Sequence, residues 1–178
     1  MDLLLLFFLI CINGVFAMSE IAVVSARKAR LQKLADDGSP GAQAALALSN
    51  EPSGFLSTIQ VGITTVGILS GAIGENTLAV PLTEWLSQWP GLAPYARGIA
   101  LTVVVVALTY FSIIIGELVP KRLGLLAPER IAALIAPPMG VLAKIGKPLV
   151  WLLSASSGLV LHLLGARQRA EPPVTDDE

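Results

Sequence analysis

Long apolar runs separated by short polar stretches dominate the chain. The runs at residues 3–25, 54–78 and 98–119 each hold more than the roughly 20 residues that an α-helix needs to cross a bilayer. The pattern therefore predicts an all-α integral membrane protein with three transmembrane helices. Polar, alanine-rich sequence from residue 26 to residue 50 predicts short juxtamembrane helices, broken where Gly38 and Pro40 interrupt the helical pattern.

The last third of the chain is ambiguous. Residues 131–141 and 149–164 are apolar, but both runs are short for a full crossing. If they cross as a pair, Lys144 and Lys147 lie outside. If neither crosses, residues 131–165 form a cytoplasmic-side amphipathic belt helix, interfacial or re-entrant, and every cation except Arg97 stays inside. We prefer the belt, because it follows the positive-inside rule.

The charge distribution predicts the orientation. The chain is 54% hydrophobic and only 14% charged, against about 25% in soluble domains. Four cations follow the first apolar run directly: Arg27, Lys28, Arg30 and Lys33. Because positive charge follows this run instead of preceding it, we favour a spanning helix over a cleaved signal peptide. The N-terminus is then outside and the C-terminus cytoplasmic, in a plasma (bacterial inner) membrane.

Several functions are disfavoured by what the sequence lacks. The single cysteine, Cys11, and the single histidine, His162, cannot build a His/Cys zinc site within one chain. The sequence has no nucleophile–base pair and no phosphate-cradling glycine loop, so we expect no enzyme. The net charge of −1 and the absence of a nucleic-acid motif predict no nucleic-acid partner. Residues 166–178 are acidic and proline-bearing, which predicts a linker.

Two motifs carry the candidate chemistry at one predicted depth. Glu117 ends the third apolar run, and Pro120 withholds a backbone N–H, which frees carbonyl oxygen one turn earlier. Ser19 and Glu20 lie near the inner end of the first run. A hydroxyl, carboxylates and carbonyls make an all-oxygen site of the kind that Mg²⁺ prefers. The competing interpretation is an ion pair between Glu20 and a cation such as Lys121.

The second apolar run is rich in small and hydroxylated residues. Gln60, Thr64 and Thr65 share a broad helical face. That face predicts either hydrogen bonds between helices or the polar lining of a solute path. Gly67 and Gly71 have the spacing that lets two helix backbones approach closely.

The sequence resembles the transmembrane domain of the CorC/CNNM family, often labelled hemolysin-like or magnesium/cobalt efflux proteins. The resemblance rests on residues 19–25 (Ser-Glu-Ile-Ala-x-x-Ser), on residues 116–121 (Gly-Glu-Leu-Val-Pro-Lys) and on residues 57–64. It implies three transmembrane helices, a cytoplasmic belt helix and a homodimer formed through the transmembrane helices. It also implies a cytoplasmic CBS-domain pair and a CorC-type domain after residue 178.

The resemblance also implies a site. Its metal ligands would come from all three transmembrane helices: Ser19, Gln60, Thr64, Glu117 and the backbone carbonyl near Gly124. Supporting roles would fall to Glu20, Ser25, Thr65, Pro120 and Lys121. Magnesium-transporting members usually carry two asparagines in the second helix, in the pattern Gly-Asn-x-Leu-Val-Asn. Residues 62–67 of this chain read Gly-Ile-Thr-Thr-Val-Gly instead.

Three functions follow as hypotheses. The leading one is a divalent-cation exporter, with Mg²⁺ or Co²⁺ as the transported ion, coupling to Na⁺ and no catalytic cofactor. The alternative is an exporter of an organic polycation such as a polyamine, which needs carboxylates and hydroxyls but no octahedral cage. The second alternative is a membrane anchor that does not transport and that presents CBS domains as a sensor.

Overall fold

The computed structural model describes residues 1–164, and all of the regular structure there is helical. Its α-helices are α1 (Asp2–Ser25), α2 (Lys28–Asp36), α3 (Pro40–Asn50), α4 (Pro52–Gly74), α5 (Val80–Leu86), α6 (Ala96–Ile113), α7 (Val119–Leu126) and α8 (Pro128–Leu163). A π turn, Glu75–Ala79, joins α4 to α5, and a second, Ile114–Leu118, joins α6 to α7. The predicted linker, residues 166–178, lies outside the described residues.

Four helical stretches are long and apolar enough to cross a membrane, one more than predicted. They are Asp2–Ser25, Pro52–Leu86, Ala93–Leu126 and Pro128–Leu163. The first three contain the predicted transmembrane helices. The fourth is α8, which lies where the sequence predicts a belt. The chain is therefore a membrane-embedded, multi-helix, all-α protein, as expected, with one additional helix that could span the bilayer.

Helix α8 runs unbroken for 36 residues, or roughly 54 Å. Its continuity shows that the interpretation of residues 131–141 and 149–164 as a crossing pair is wrong, because no turn separates them. The helix tolerates Pro137, Pro138 and Pro148 in its interior. The buried residues of α8 all lie in its first half, up to Met139, so contacts with the rest of the bundle hold that half in place.

A hydrophobic core joins the C-terminal end of α1 to α2, α3, the start of α4 and the first half of α8. We call this end of the molecule the basic end, because Arg27, Lys28, Arg30 and Lys33 lie there. Small residues let the helices approach, and Phe55 fills the centre. The buried members are Ala22, Val23, Ala26, Leu31, Ala45, Phe55, Ile59, Ala132, Ile135, Ala136 and Met139. Much of the apolar surface elsewhere is exposed, as expected for helices that face lipid.

Two polar side chains, Glu129 and Ser39, fix the short helices at the basic end. Glu129, buried in the first turn of α8, accepts the backbone N–H of Arg27 at 3.4 Å and lies 3.8 Å from the Arg30 guanidinium. A carboxylate at the N-terminus of α2 satisfies a free N–H group and complements the helix dipole. At the next corner, the Ser39 hydroxyl accepts the N–H of Ala42 and caps α3.

Helices α3 and α8 approach each other closely at Gly41. A Cβ atom there would collide with the carbonyl oxygen of Ala133 in α8. We expect Gly41→Ala to lower the free energy of unfolding by about 1–3 kcal/mol, the usual cost of overpacking. The measurement is the thermal unfolding midpoint in detergent, followed by circular dichroism.

The matched control is Gly98→Ala. Gly98 also lies in the first turn of a helix, α6, and has open space where a Cβ would lie. Alanine is a better helix former than glycine, so the thermal unfolding midpoint of the Gly98→Ala variant should be unchanged or higher. Equal losses from both substitutions would contradict the close approach of α3 to α8.

Candidate functional site

Both π turns precede a Val-Pro pair, and the second one holds Glu117. Pro120 has no N–H to donate to the carbonyl of Gly116 four residues earlier, and its ring would crowd that carbonyl in a regular α-helix. The helix widens instead, so that the N–H of Val119 donates to Ile114, five residues back. The same widening carries the helix past Pro81, which is why α5 extends beyond the predicted end of the second span at residue 78.

Helix α1 supplies the donor that Pro120 withholds. The amide Nδ2 of Asn13 donates to the carbonyl oxygen of Gly116 at 3.0 Å. Gly14 makes the approach possible, since a Cβ there would lie 2.9 Å from Cγ of Pro120 and 3.1 Å from the Ile115 oxygen. The proline frees a carbonyl, as the sequence predicts, but this oxygen is already hydrogen-bonded within the protein.

Lys121 lies between the two predicted carboxylates. Its Nζ is 2.8 Å from Oε1 of Glu117, one turn earlier, and 3.9 Å from Oε2 of Glu20 in α1. The interpretation in which Glu20 pairs with Lys121 is therefore confirmed. All three side chains remain partly exposed.

Ser19 is buried in α1, and Gly124 lies where α7 packs against α1. Ser19 is 0% exposed, and its hydroxyl donates to the carbonyl of Phe16 at 2.7 Å. Gly124 packs so closely on α1 that a Cβ there would lie 3.0 Å from the carbonyl oxygen of Met18. Their roles as cation ligands stay a prediction, since both are held in contacts within the protein.

Glu117 opens into a groove of about 490 Å³ between α1, α4 and α6. We call this cavity the acidic groove, because Glu75 of the first π turn also lines it. Uncharged polar side chains lie along its walls: Asn13, Ser70, Thr109 and Ser112. The Glu117 side chain is 48% exposed there. The groove thus offers two carboxylates with neutral oxygen atoms along its walls.

The two carboxylates are well separated along the groove. Gly74, next to Glu75, packs against Leu108 of α6, where a Cβ would collide with that side chain. Glu117 follows Leu108 by about two and a half turns, so the axial separation between the backbones of the two acidic residues is roughly 13 Å. The two residues therefore lie toward opposite ends of the groove.

Asn13 also contributes an oxygen without a partner. Its Oδ1 is buried and accepts no hydrogen bond from any residue in the range 1–164. Buried polar atoms are nearly always satisfied, so this unpaired amide oxygen, in a residue that lines the groove, needs an explanation.

The remaining predicted residues lie away from Glu117. Gln60 lines a second cavity, of about 630 Å³, together with Glu20 and with Ser154 and Ser157 of α8. Thr64 and Thr65 are exposed on α4 and Ser25 is half-buried at the end of α1. None of these residues lines the acidic groove. Pro120 is buried against α1, where it shapes the π turn.

Sequence reasoning missed Asn13 and Glu75, which the structure places in the acidic groove with Glu117. The sequence does contain a signal for Asn13, because an amide in the middle of an apolar run needs a hydrogen-bond partner. Glu75 follows the small-residue stretch of α4 and precedes a proline, as the second π turn does. Residues 1–164 hold no group of three or more His, Cys, Asp and Glu side chains that could bind a metal ion.

The matching protein family is described as the cyclin M transmembrane N-terminal domain (CNNM), and the match covers residues 4–178. A UPF0053 protein of Synechocystis is 46% identical over all 178 residues. A polyamine export protein of Salmonella typhimurium is 29% identical over 177 residues, and the UPF0053 protein YrkA of Bacillus subtilis is 27% identical over 177 residues. The chain spans 40%, 39% and 41% of these relatives, respectively.

The bond between Asn13 and Gly116 generates a stability prediction. Asn13→Leu keeps the approximate size of the side chain but leaves the Gly116 carbonyl without this donor. We expect a loss of about 1–3 kcal/mol in the free energy of unfolding, the cost of an unsatisfied buried polar group. The thermal unfolding midpoint in detergent measures it.

Asn76→Leu is the control for that substitution. Asn76 also donates from Nδ2 to a backbone carbonyl, that of Ala72, but within its own helix and on an exposed surface. Its replacement should change stability by no more than about 0.5 kcal/mol. If both variants unfold at the wild-type temperature, the Asn13 bond does not hold the π turn against α1.

Proposed function

The chain belongs to the cyclin M transmembrane (CNNM) family, and from that membership we propose that it forms the membrane part of a cation exporter. The cargo that the geometry favours is a linear organic polycation such as a polyamine. The observation that carries this choice is the acidic groove, with Glu75 and Glu117 separated along it and neutral oxygen atoms on its walls. An extended chain with an ammonium group at each end would pair with both carboxylates, and it would replace Lys121 at Glu117 and Arg97 at Glu75.

The contacts of Lys121 support an ammonium as the cargo group. Its Nζ atom is itself an ammonium, and it lies against Glu117 at 2.8 Å and near Glu20. The geometry of these carboxylates therefore already suits a charged amine. A cargo ammonium that displaces Lys121 exchanges one such group for another. The Salmonella relative's name, polyamine export protein, agrees with this choice of cargo.

The second candidate cargo is a divalent cation, Mg²⁺ or Co²⁺, which is exported in exchange for Na⁺ that enters the cell. The observation in its favour is the unpaired Oδ1 of Asn13 in the same groove as Glu117, because neutral oxygen atoms and a carboxylate are Mg²⁺ ligands. Two features weigh against it. Ile63 offers no side-chain oxygen where magnesium-transporting members have asparagine, and Lys121 places a positive charge beside Glu117.

The proposal includes an orientation and an assembly. The basic end faces the cytoplasm of a bacterial inner membrane, and the N-terminus of α1 lies outside, because Arg27 to Lys33 follow α1. Two copies associate through their transmembrane helices, whose apolar surface is widely exposed. Cytoplasmic CBS domains would belong to the same full-length protein. The function needs no catalytic step, so the protein acts without enzyme activity.

Removing one charge from the groove tests the cargo. Glu117→Gln keeps the size of the side chain but removes the carboxylate that binds the cargo ammonium. We expect export of a polyamine from loaded cells or vesicles to fall at least tenfold, while tolerance to Mg²⁺ stays unchanged. The measurement is the efflux rate of radiolabelled spermidine in a strain without its own exporters.

Glu84→Gln is the control, since Glu84 is an exposed carboxylate of α5 that does not line the acidic groove. It should export at the wild-type rate. Loss of Mg²⁺ efflux alone in the Glu117 variant would favour the divalent-cation candidate. No transport of either cargo by the wild-type protein would favour an anchor or sensor for CBS domains.

The separation of the carboxylates predicts a dependence on cargo length. Glu75→Gln removes the second negative charge of the groove, so it should weaken the binding of a long polyamine that reaches both ends. A short diamine held at Glu117 should be affected much less. We expect a roughly tenfold rise in the KM for spermine export, equivalent to about 1.4 kcal/mol, and less than a twofold change for putrescine. Equal effects on both cargoes would contradict a two-ended site.

A further inference from the structure

A third cavity, separate from the acidic groove, lies at the basic end between α3, α4 and α8. Its volume is about 710 Å³. Apolar side chains form most of its wall, among them Leu48, Phe55, Pro137, Val141, Val150 and Trp151. Apolar walls alone do not identify an occupant, but the polar groups at this cavity are few and mostly of one sign.

Two lysines of α8 line the same cavity. Lys144 and Lys147 lie one turn apart on one face of the helix, and both are exposed. Neither forms an ion pair with any residue between 1 and 164. Glu51, at the corner between α3 and α4, is the one acidic residue in the lining. The cavity therefore carries a net positive charge.

The order of residues along α8 gives this cavity two chemically different ends. After Lys144 and Lys147 come Val150 and Trp151, whose side chain is 71% exposed. Tryptophan is enriched at the level of lipid headgroups, where its ring is partly apolar and its N–H meets water. Beyond Trp151 the helix is exposed and largely apolar up to Leu164. An occupant with an anionic head and an apolar tail would meet complementary surface at both ends.

We propose that this cavity binds an anionic phospholipid of the surrounding bilayer, such as phosphatidylglycerol. The phosphate lies between Lys144 and Lys147, and an acyl chain follows the apolar wall past Val150 and Trp151. Basic pockets between helices at the cytoplasmic face suit such headgroups, and each lysine near the surface adds to the attraction. The bound lipid fills the space between α8 and the start of α4, and so holds α8 against the bundle.

Trp151 serves as the reporter for the test. The full 178-residue chain carries Trp85→Phe and Trp89→Phe, so that Trp151 is the one tryptophan left. It is reconstituted in phosphatidylcholine vesicles that contain a small fraction of brominated phosphatidylglycerol or brominated phosphatidylcholine. Bromine quenches tryptophan fluorescence at contact. We expect the anionic lipid to be enriched at Trp151 by roughly tenfold over its bulk fraction.

The double variant, Lys144→Gln with Lys147→Gln, should lose the preference for the anionic lipid. The matched control, Lys33→Gln with Arg122→Gln, removes the same charge from residues that do not line the cavity and should keep the preference. Equal quenching by both brominated lipids in the parent protein would overturn the proposal. So would an equal loss in the control variant, or release of the lipid by millimolar inorganic phosphate, which would identify a site for a free anion. Circular dichroism checks that each variant is folded.

Discussion

The hydrogen bond from Asn13 to the Gly116 carbonyl answers a constraint that the bilayer imposes on the third transmembrane stretch. Inside hydrocarbon no water can satisfy a backbone oxygen, so the N–H that Pro120 lacks must be replaced by the protein. A π turn and an amide from α1 replace it, and Gly14 gives the proline ring room. The positions of Glu117 and Lys121 follow from this docking, because Glu117 lies in the widened stretch of helix and Lys121 follows it in α7.

Hydropathy was sufficient to predict the three transmembrane helices, because a run of more than twenty apolar residues has few other structures available to it. It was insufficient for α8. Two apolar runs, each too short alone, are joined there by sequence that contains Pro148 and two lysines, and composition does not say whether a turn intervenes. Contacts decide it: Ala132, Ala136 and Met139 pack into the core at the basic end, and the helix continues from that anchored half.

The candidate site was predictable in part, for a related reason. Glu117 and Lys121 are close in sequence, so their pairing is local. A carboxylate at membrane depth is also a candidate functional group wherever it occurs. Which face of α1 meets the third stretch depends on the rotation of both helices, and small residues such as Gly14 and Gly124 set that rotation. Sequence alone therefore could not show that Asn13 and Glu117 line the same groove, while Ser19 donates its hydroxyl to its own helix.

Lys121 has a consequence for the rate at which anything leaves Glu117. An ammonium attached to the same chain competes at an effective concentration that dilution cannot lower, since it is held one turn away. A cation that binds there displaces this tethered competitor, and the competitor returns as soon as the cation begins to leave. At the proposed cargo site this competition would limit affinity and favour release, and both effects would allow a transporter to turn over instead of storing its cargo.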